Sequence, residues 1–491
     1  MNATGPLARP GRPELARALT LLPAVALAMV DMIGVGPFAT LPKLVDSMGG
    51  AQAIYGWTAG ALLAMCDGLI WAELGAAMPK AGGSYEYLSE IYGREKFGRL
   101  FSFLFVFQLI ISAPISIATG CVGLAGYATY IFPRLGNFFF QAGKQFSFFG
   151  FKFMGSEKLA FGISGATLVA MGAALLATFL VYRRITGVGR IAKYLWAGVL
   201  GTMGFVIFAG VTHFHSSMAF PAGWSRPQVS GFWTGFSAAL LIALYDYWGY
   251  YNVCFLGEEI KEPRKTIPRA MLLSIAVVAI LYITMNVSIL GVVPFSELHA
   301  MAVNSASSFV AARAVQLAYG HWAGTLVAVM VIWTAFASVF ALLAGYSRVP
   351  FAAARDGNFF RFFQKVDRKQ NFPTHSVLFL GLLAAAFCVF QLGQLVTALV
   401  VIRILLMFGL QAIGVVVWRI VKPNEPRPFR MWLYPLPVVI TLAGFALVLH
   451  DKKALYHRSL VFAALGVLIF LVRAVKTRTW PFARARAQAN T

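Results

Sequence analysis

Charge is scarce in this chain. Only 12% of its 491 residues are charged, about half the share of an average soluble protein. Acids are scarcer still, 18 Asp and Glu against 41 Lys and Arg, for a net charge of +23. Cysteine is limited to Cys66, Cys121, Cys254 and Cys388, all in apolar stretches and none in C-x-x-C spacing. Neither a disulfide framework nor a zinc site is expected from them. The seven histidines form no H-E-x-x-H and fall near span ends or in loops, which leaves an intramembrane enzyme without a nucleophile–base or metal constellation. A G-x-x-x-x-G-K-[ST] loop is also missing, so ATP does not drive the protein directly. Together these shortages exclude a water-soluble globule, a disordered chain and a secreted disulfide scaffold.

What is abundant is apolar sequence: 59% of residues are hydrophobic, 14% aromatic, and the mean hydropathy is +0.73. Stretches of ~20 apolar residues, each long enough to cross a hydrocarbon core, recur along the chain. Hydropathy places them at 18–45, 52–78, 98–132, 159–182, 187–212, 231–257, 267–293, 322–346, 375–391, 394–418, 432–449 and 458–474. The expectation is an all-α integral membrane protein with about twelve transmembrane helices. The basic start (Arg9, Arg12, Arg17) precedes an apolar run too long for a cleavable signal peptide, so the first span is retained.

In a membrane protein a basic balance points to the positive-inside rule and to anionic lipid, not to nucleic acid. Thirty of the 41 Lys and Arg residues lie in one set of loops and tails or in the two turns of a span next to them, Lys193 included; ten lie in or next to the other set, and Arg403 is well inside the tenth span. That bias predicts cytosolic N- and C-termini. The outer segment 296–320 is long and mixed, and reads as a short surface helix.

Two spans are interrupted at mid-depth. The first reads Asp31-Met32-Ile33-Gly34-Val35-Gly36-Pro37-Phe38 and the sixth Tyr245-Asp246-Tyr247-Trp248-Gly249-Tyr250. Backbone groups freed in lipid cost several kcal/mol each unless buried in protein or lining a cavity. Ordinary glycine kinks are the simpler alternative. Broken helices at matching positions of two halves are, however, the pointer to an inverted-repeat transporter with its site at the midplane. Amides around Gly34, Val35 and Gly36 open a half-helix whose N-terminus favours an anion, and carbonyls at Ile33 and from Tyr245 to Tyr247 are free to accept an ammonium. Asp31, Asp67, Lys193, Asp246 and Arg403 lie deep in predicted spans, where each costs ~2.5–3.5 kcal/mol at mid-bilayer on insertion scales, so function is the default reading. An interhelical pair of Asp67 with Arg403 is the structural alternative.

Four stretches resemble the amino acid–polyamine–organocation (APC) superfamily of secondary transporters. They are the Gly34-Val35-Gly36 break; Ala72-Glu73-Leu74-Gly75 through Pro79-Lys80-Ala81-Gly82-Gly83-Ser84-Tyr85; Tyr247-Trp248-Gly249-Tyr250 with Gly257-Glu258-Glu259-Ile260-Lys261-Glu262-Pro263 and Ile267-Pro268; and Ser347-Arg348 through Ala354-Arg355-Asp356-Gly357. The resemblance implies a LeuT-like five-plus-five inverted repeat, with repeats at 18–212 and 231–418, two appended helices at 432–474, and tails at 1–17 and 475–491. It implies no cofactor or metal. The expected function is secondary transport of amino acids across the plasma membrane by uniport, exchange or proton symport; a polyamine or cationic amino acid carrier is the alternative. A channel or transporter-like receptor on the same span pattern is a further alternative.

Partners are a small-molecule substrate, protons and membrane lipid. In relatives the residues matching Ile33, Gly34, Val35, Gly36, Tyr245, Asp246, Tyr247 and Gly249 hold the substrate, with Tyr245 at the place of an outer gate. Gly-Pro at 36–37 and an acid at Asp246 depart from the commoner pattern and lean toward cationic substrates. Gly187-Val188 with Lys193 is similar to the family's start of span 5. There a lysine takes a sodium ion's place between spans 1, 5 and 8, which would set Lys193 beside Ser338 and near Asp31 as the coupling group. The alternative is that Lys193 snorkels to the inner surface. Glu258 and Glu259 are expected to organise the cytosolic mouth with Arg348 or Arg355.

Overall fold

The first apolar run breaks where the chain sets glycine and proline side by side. A computed structural model describes residues 15–142, 161–225, 231–303, 309–367, 372–390, 400–450 and 453–482. Helix α1 (Leu21–Ile33) stops at Gly34, whose φ of 25° lies in the region that favours glycine. Helix α2 (Gly36–Met48) restarts with Pro37 in its first turn, bent 43° from α1. Proline belongs there because the first helical amides have no intrahelical partner to lose. The second break is similar. Helix α9 (Phe232–Tyr247) gives way to an extended Trp248 and to Gly249 at φ 132°, before the single turn α10 (Asn252–Phe255).

Around these two broken elements stand α3 (Ala53–Ala77), α5 (Phe97–Ile131), α6 (Gly165–Val181), α7 (Ile185–Thr212), α11 (Pro263–Leu290), α14 (His321–Tyr346), α16 (Thr374–Phe387), α17 (Val400–Val421), α18 (Leu436–His450) and α19 (Lys453–Thr477). Among the described residues, seven helices are long and apolar enough to cross a membrane, and the bent α1–α2 pair makes an eighth. Helices α6, α16 and α18 are apolar but shorter. Large apolar side chains such as Leu175, Phe179, Ile280 and Trp333 point outward, as lipid-facing surfaces require. The four cysteines are buried and free.

Three details differ from the hydropathy reading. Strands β1 (Phe138–Ala142) and β2 (Phe161–Ser164) pair antiparallel, although no sheet is expected. Aromatic and β-branched runs too short to span a bilayer favour a pleated surface instead. Helix α6 therefore starts only at Gly165, behind a capping box of Ser164 and Thr167. The mixed segment near 296–320 holds two short helices, α12 (Phe295–Val303) and α13 (Val310–Tyr319), not one. Lys144, Lys152, Lys158 and Arg226, most of the tails 1–17 and 475–491, and residues 394–399 of the tenth predicted span lie outside the described residues.

One end of the bundle is laced shut by charge. Glu259 and Arg348 form a fully buried bidentate pair at 2.9 and 3.0 Å, and the Glu259 carbonyl accepts from the amides of Ala18 and Leu19. Glu258 pairs bidentately with Arg355 at 2.6 and 2.8 Å. Burial alone would raise the Glu258 carboxyl, but hydrogen bonds and charge from Arg355 hold it below its ordinary value. Helix α4 (Ser84–Ile91), which follows α3, adds Glu86, paired with Lys80 before it and Arg94 after it. Glu73 is bound by Arg419 at 2.5 and 2.9 Å and by the Met431 amide.

Candidate functional site

The two breaks touch each other. A β-carbon on Gly249 would fall 2.7 Å from the Met32 amide nitrogen and 2.8 Å from the Asp31 carbonyl carbon, so only glycine lets the unwound segments approach this closely. Tyr282 on α11 holds both ends. Its hydroxyl is shared between the Met32 carbonyl at 2.7 Å and the Asp246 carbonyl at 3.1 Å. Ser338 on α14 donates to the Asp31 carbonyl at 3.3 Å. Carbonyls that the breaks release are thus caught by side chains of the surrounding helices, which satisfies the buried backbone.

Between the breaks lies a small cavity of about 50 Å³. Asp31, Gly34, Val35, Gly36 and Ser338 line one side; Tyr245, Asp246, Trp248 and Gly249 line another. Thr40 donates to one oxygen of Asp246, and the other, Oδ1, has no partner. Asp31 Oδ2 is likewise buried and unpartnered. The start of α2 at Val35 and Gly36 adds unpaired amide character, as at any helix N-terminus. The site therefore combines two open carboxylate oxygens with a helix start, a surface that takes cationic and anionic groups side by side.

Arg403 completes the wall from α17. It is 3% exposed, donates to the Tyr251 hydroxyl at 3.0 Å and the Ser116 hydroxyl at 2.8 Å, and lies over the Tyr346 ring. Its charge was legible in the sequence, but its place was not. Asp67 does not pair with it; Asp67 accepts from Tyr250 at 2.6 Å, on the other side of the unwound turn. Tyr251, Tyr346 and Ser116 also line the cavity. Nothing in their spacing singled them out.

Three expected site residues stand apart. Lys193 is exposed on α7, so its ammonium does not lie against the carbonyls of α1 or beside Ser338. The buried stripe of α7 runs through Val188, Ala192, Leu195 and Val199. Lys193 follows Ala192 by one residue, about 100° around the helix, and faces outward with Tyr194. Ile33 and Tyr247 are fully buried but do not line the cavity. The Tyr247 ring packs instead against Trp57 and Tyr282, with centroids 5.9 and 5.1 Å away. Trp248 lines the cavity and stacks on Phe408 at 4.6 Å. From its position, Lys193→Ala is expected to transport like the wild type between about pH 5 and pH 8 in proteoliposomes; loss of net transport with altered pH dependence would restore a coupling role.

Comparison with known proteins agrees with a transporter. The profile of the amino acid permease family matches residues 19–472. The chain is 26% identical to the serine/threonine exchanger SteT of Bacillus subtilis, over 89% of this chain and 91% of that protein. It is 26% identical to the branched-chain amino acid permease BcaP of the same organism, over 94% of each. Mouse Asc-type amino acid transporter 1 is also 26% identical, over 89% of this chain and 77% of that protein.

Proposed function

This chain belongs to the amino acid permease family, and from that premise we propose that it carries amino acids across the plasma membrane by alternating access. It is a multi-pass membrane transporter and not an enzyme. The observation that carries the proposal is the cavity where two broken helices meet, with an open carboxylate on one wall and a helix start on another. In the proposed arrangement the substrate carboxylate docks at Gly34, Val35 and Gly36, and the ammonium at Asp31 Oδ2. Tyr245 covers the pair. Ser338 holds the broken end of α1 in place through the Asp31 carbonyl.

The proposed layout is twelve spans, with repeats at 18–212 and 231–418 and the pair 432–474 appended. Breaks in the first helix of each repeat support it. Cytosolic termini are supported by the excess of Lys and Arg in the loops on that side. Transport then proceeds as uniport, exchange or proton symport. A thermal-shift screen of the twenty amino acids with putrescine, spermidine and agmatine tests the reading, since a bound ligand raises apparent stability. Saturable uptake and counterflow in proteoliposomes should follow for the hits. Stabilisation by amines alone, or flux without saturation, would sink it.

Asp246 favours a second reading, a carrier for cationic amino acids or polyamines, because its Oδ1 is buried without a partner beside the cavity. Asp246→Asn is expected to weaken cationic substrates by about tenfold or more, the worth of a charged hydrogen bond, and to spare neutral ones. Affinity measured by calorimetry for L-arginine and L-serine decides it. Equal losses for both would give Asp246 a structural or proton-carrying role.

A further inference from the structure

We infer that Arg403 reads the substrate's carboxylate, so that the site rejects amines that lack one. The inference rests on the amino acid transport proposed above and narrows its substrate class. Arg403 is buried, and among the described residues no carboxylate lies within ion-pair distance of it. Its three hydrogen bonds go to neutral oxygens: the Tyr251 hydroxyl, the Ser116 hydroxyl and, at 3.4 Å, the Ser112 carbonyl. A guanidinium taken out of water is stable when an anion compensates it and its fork of donors is filled. Here the hydrogen-bonded partners supply dipoles without negative charge, and Asp31, on the same cavity, acts on the guanidinium by charge only from beyond ion-pair distance. The guanidinium also lines the cavity, together with Asp31, whose Oδ2 is open, and with the start of α2.

Cation, anion and helix start around one small space make a receptor for a zwitterion. The carboxylate lies toward Arg403 and the first amides of α2, and the ammonium toward Asp31. A second, independent feature marks the position. Immediately after Arg403 the helix widens into a π turn, Ile404–Phe408. Such turns cost helix stability and are frequent at functional sites. Phe408 of this turn stacks on Trp248 of the broken sixth span. The cation and the unwound segment are therefore held by the same piece of α17. A polyamine offers this guanidinium only like charge, which the two acids do not screen by direct contact.

The test compares L-serine, L-leucine and L-arginine with their carboxamides and with the decarboxylated amines ethanolamine, isoamylamine and agmatine. Affinities are measured by calorimetry on full-length protein in detergent. For the wild type the acids are expected to bind roughly tenfold or more tighter than the amides and amines, because a charge-assisted pair is lost. In Arg403→Gln this preference falls to near unity while affinity for the amides is kept. An unchanged preference in Arg403→Gln overturns the inference and leaves amino acid transport standing. If amides and amines already match the acids on wild-type protein, the carboxylate is not read and the inference fails. If only amines bind, the proposed function fails with it. Should Arg403→Gln not fold, Arg403→Lys decides. A lysine keeps the charge but not the planar fork, so affinity for the acids should drop severalfold and the preference should remain. Wild-type affinity for the acids in Arg403→Lys overturns the inference.

Discussion

Gly36→Leu is expected to abolish amino acid binding while the protein still inserts and purifies as a single species. Gly36 stands at the first turn of α2 with its α-carbon facing the cavity wall. A β-carbon there would overlap the Asp246 carboxylate, lying within contact of Oδ1 and 3.0 Å from Cγ. Alanine meets only the end of a side chain that can rotate away, so Gly36→Ala should weaken binding partially. The remaining leucine atoms have nowhere to go but the cavity, which offers about 50 Å³, or the unwound turn behind it. Overpacking of this kind costs about 1–3 kcal/mol, too little to prevent folding of a bundle this size but directed at the one space a substrate needs. Calorimetry and thermal shift with the amino acids that stabilise the wild type measure the effect. A folded Gly36→Leu protein with wild-type affinity would remove the breaks from the binding site.

The second large effect is on stability. Arg348→Ala should lower the thermal midpoint more than any single change at the cavity. Glu259 is 0% exposed, and both its carboxylate oxygens are held by Arg348. Removing the guanidinium leaves a buried carboxylate with no opposite charge, a loss of about 3–5 kcal/mol in comparable buried pairs. Arg348 also donates to the Ala344 carbonyl at 2.7 Å and the Ser347 hydroxyl at 3.0 Å; the Ser347 hydroxyl itself donates to the Ala344 carbonyl at 3.0 Å, so the loss falls chiefly on Glu259. The Glu259 carbonyl receives the amides of Ala18 and Leu19, so the entry to α1 should loosen with it. Replacing both partners, Glu259→Met with Arg348→Leu, removes the unpaired charge and should recover much of the midpoint. A single mutant as stable as the wild type, measured by unfolding in detergent, would show that the pair is solvated in solution.

The same pair illustrates how far the chain can be read. Two acids in sequence and two arginines after the eighth span limit the pairings to a few, and spacing alone leaves open which acid meets which arginine. Side chains one residue apart point in different directions, so the choice follows from how the 3-10 turn Gly257–Glu259 after α10 and helix α15 (Arg348–Arg355) are set against each other. Glu259 turns inward to Arg348 and Glu258 outward to Arg355.

The sequence by itself determined the membrane character, the helical class, the two breaks and the residues that make them. Each of these depends on local chemistry. Apolar length decides insertion, and glycine beside proline decides where a helix stops. Which ionisable groups converge was left to the tertiary structure. In water the polar face of a helix tells which side is buried. In lipid the outer face is as apolar as the core, and that signal disappears. Lys193 and Arg403 are both cations inside predicted spans, and nothing local separates them. A rotation of about 100° past Ala192 puts Lys193 outside, while packing of α17 on α5 and the unwound sixth span turns Arg403 inward to Ser116 and Tyr251.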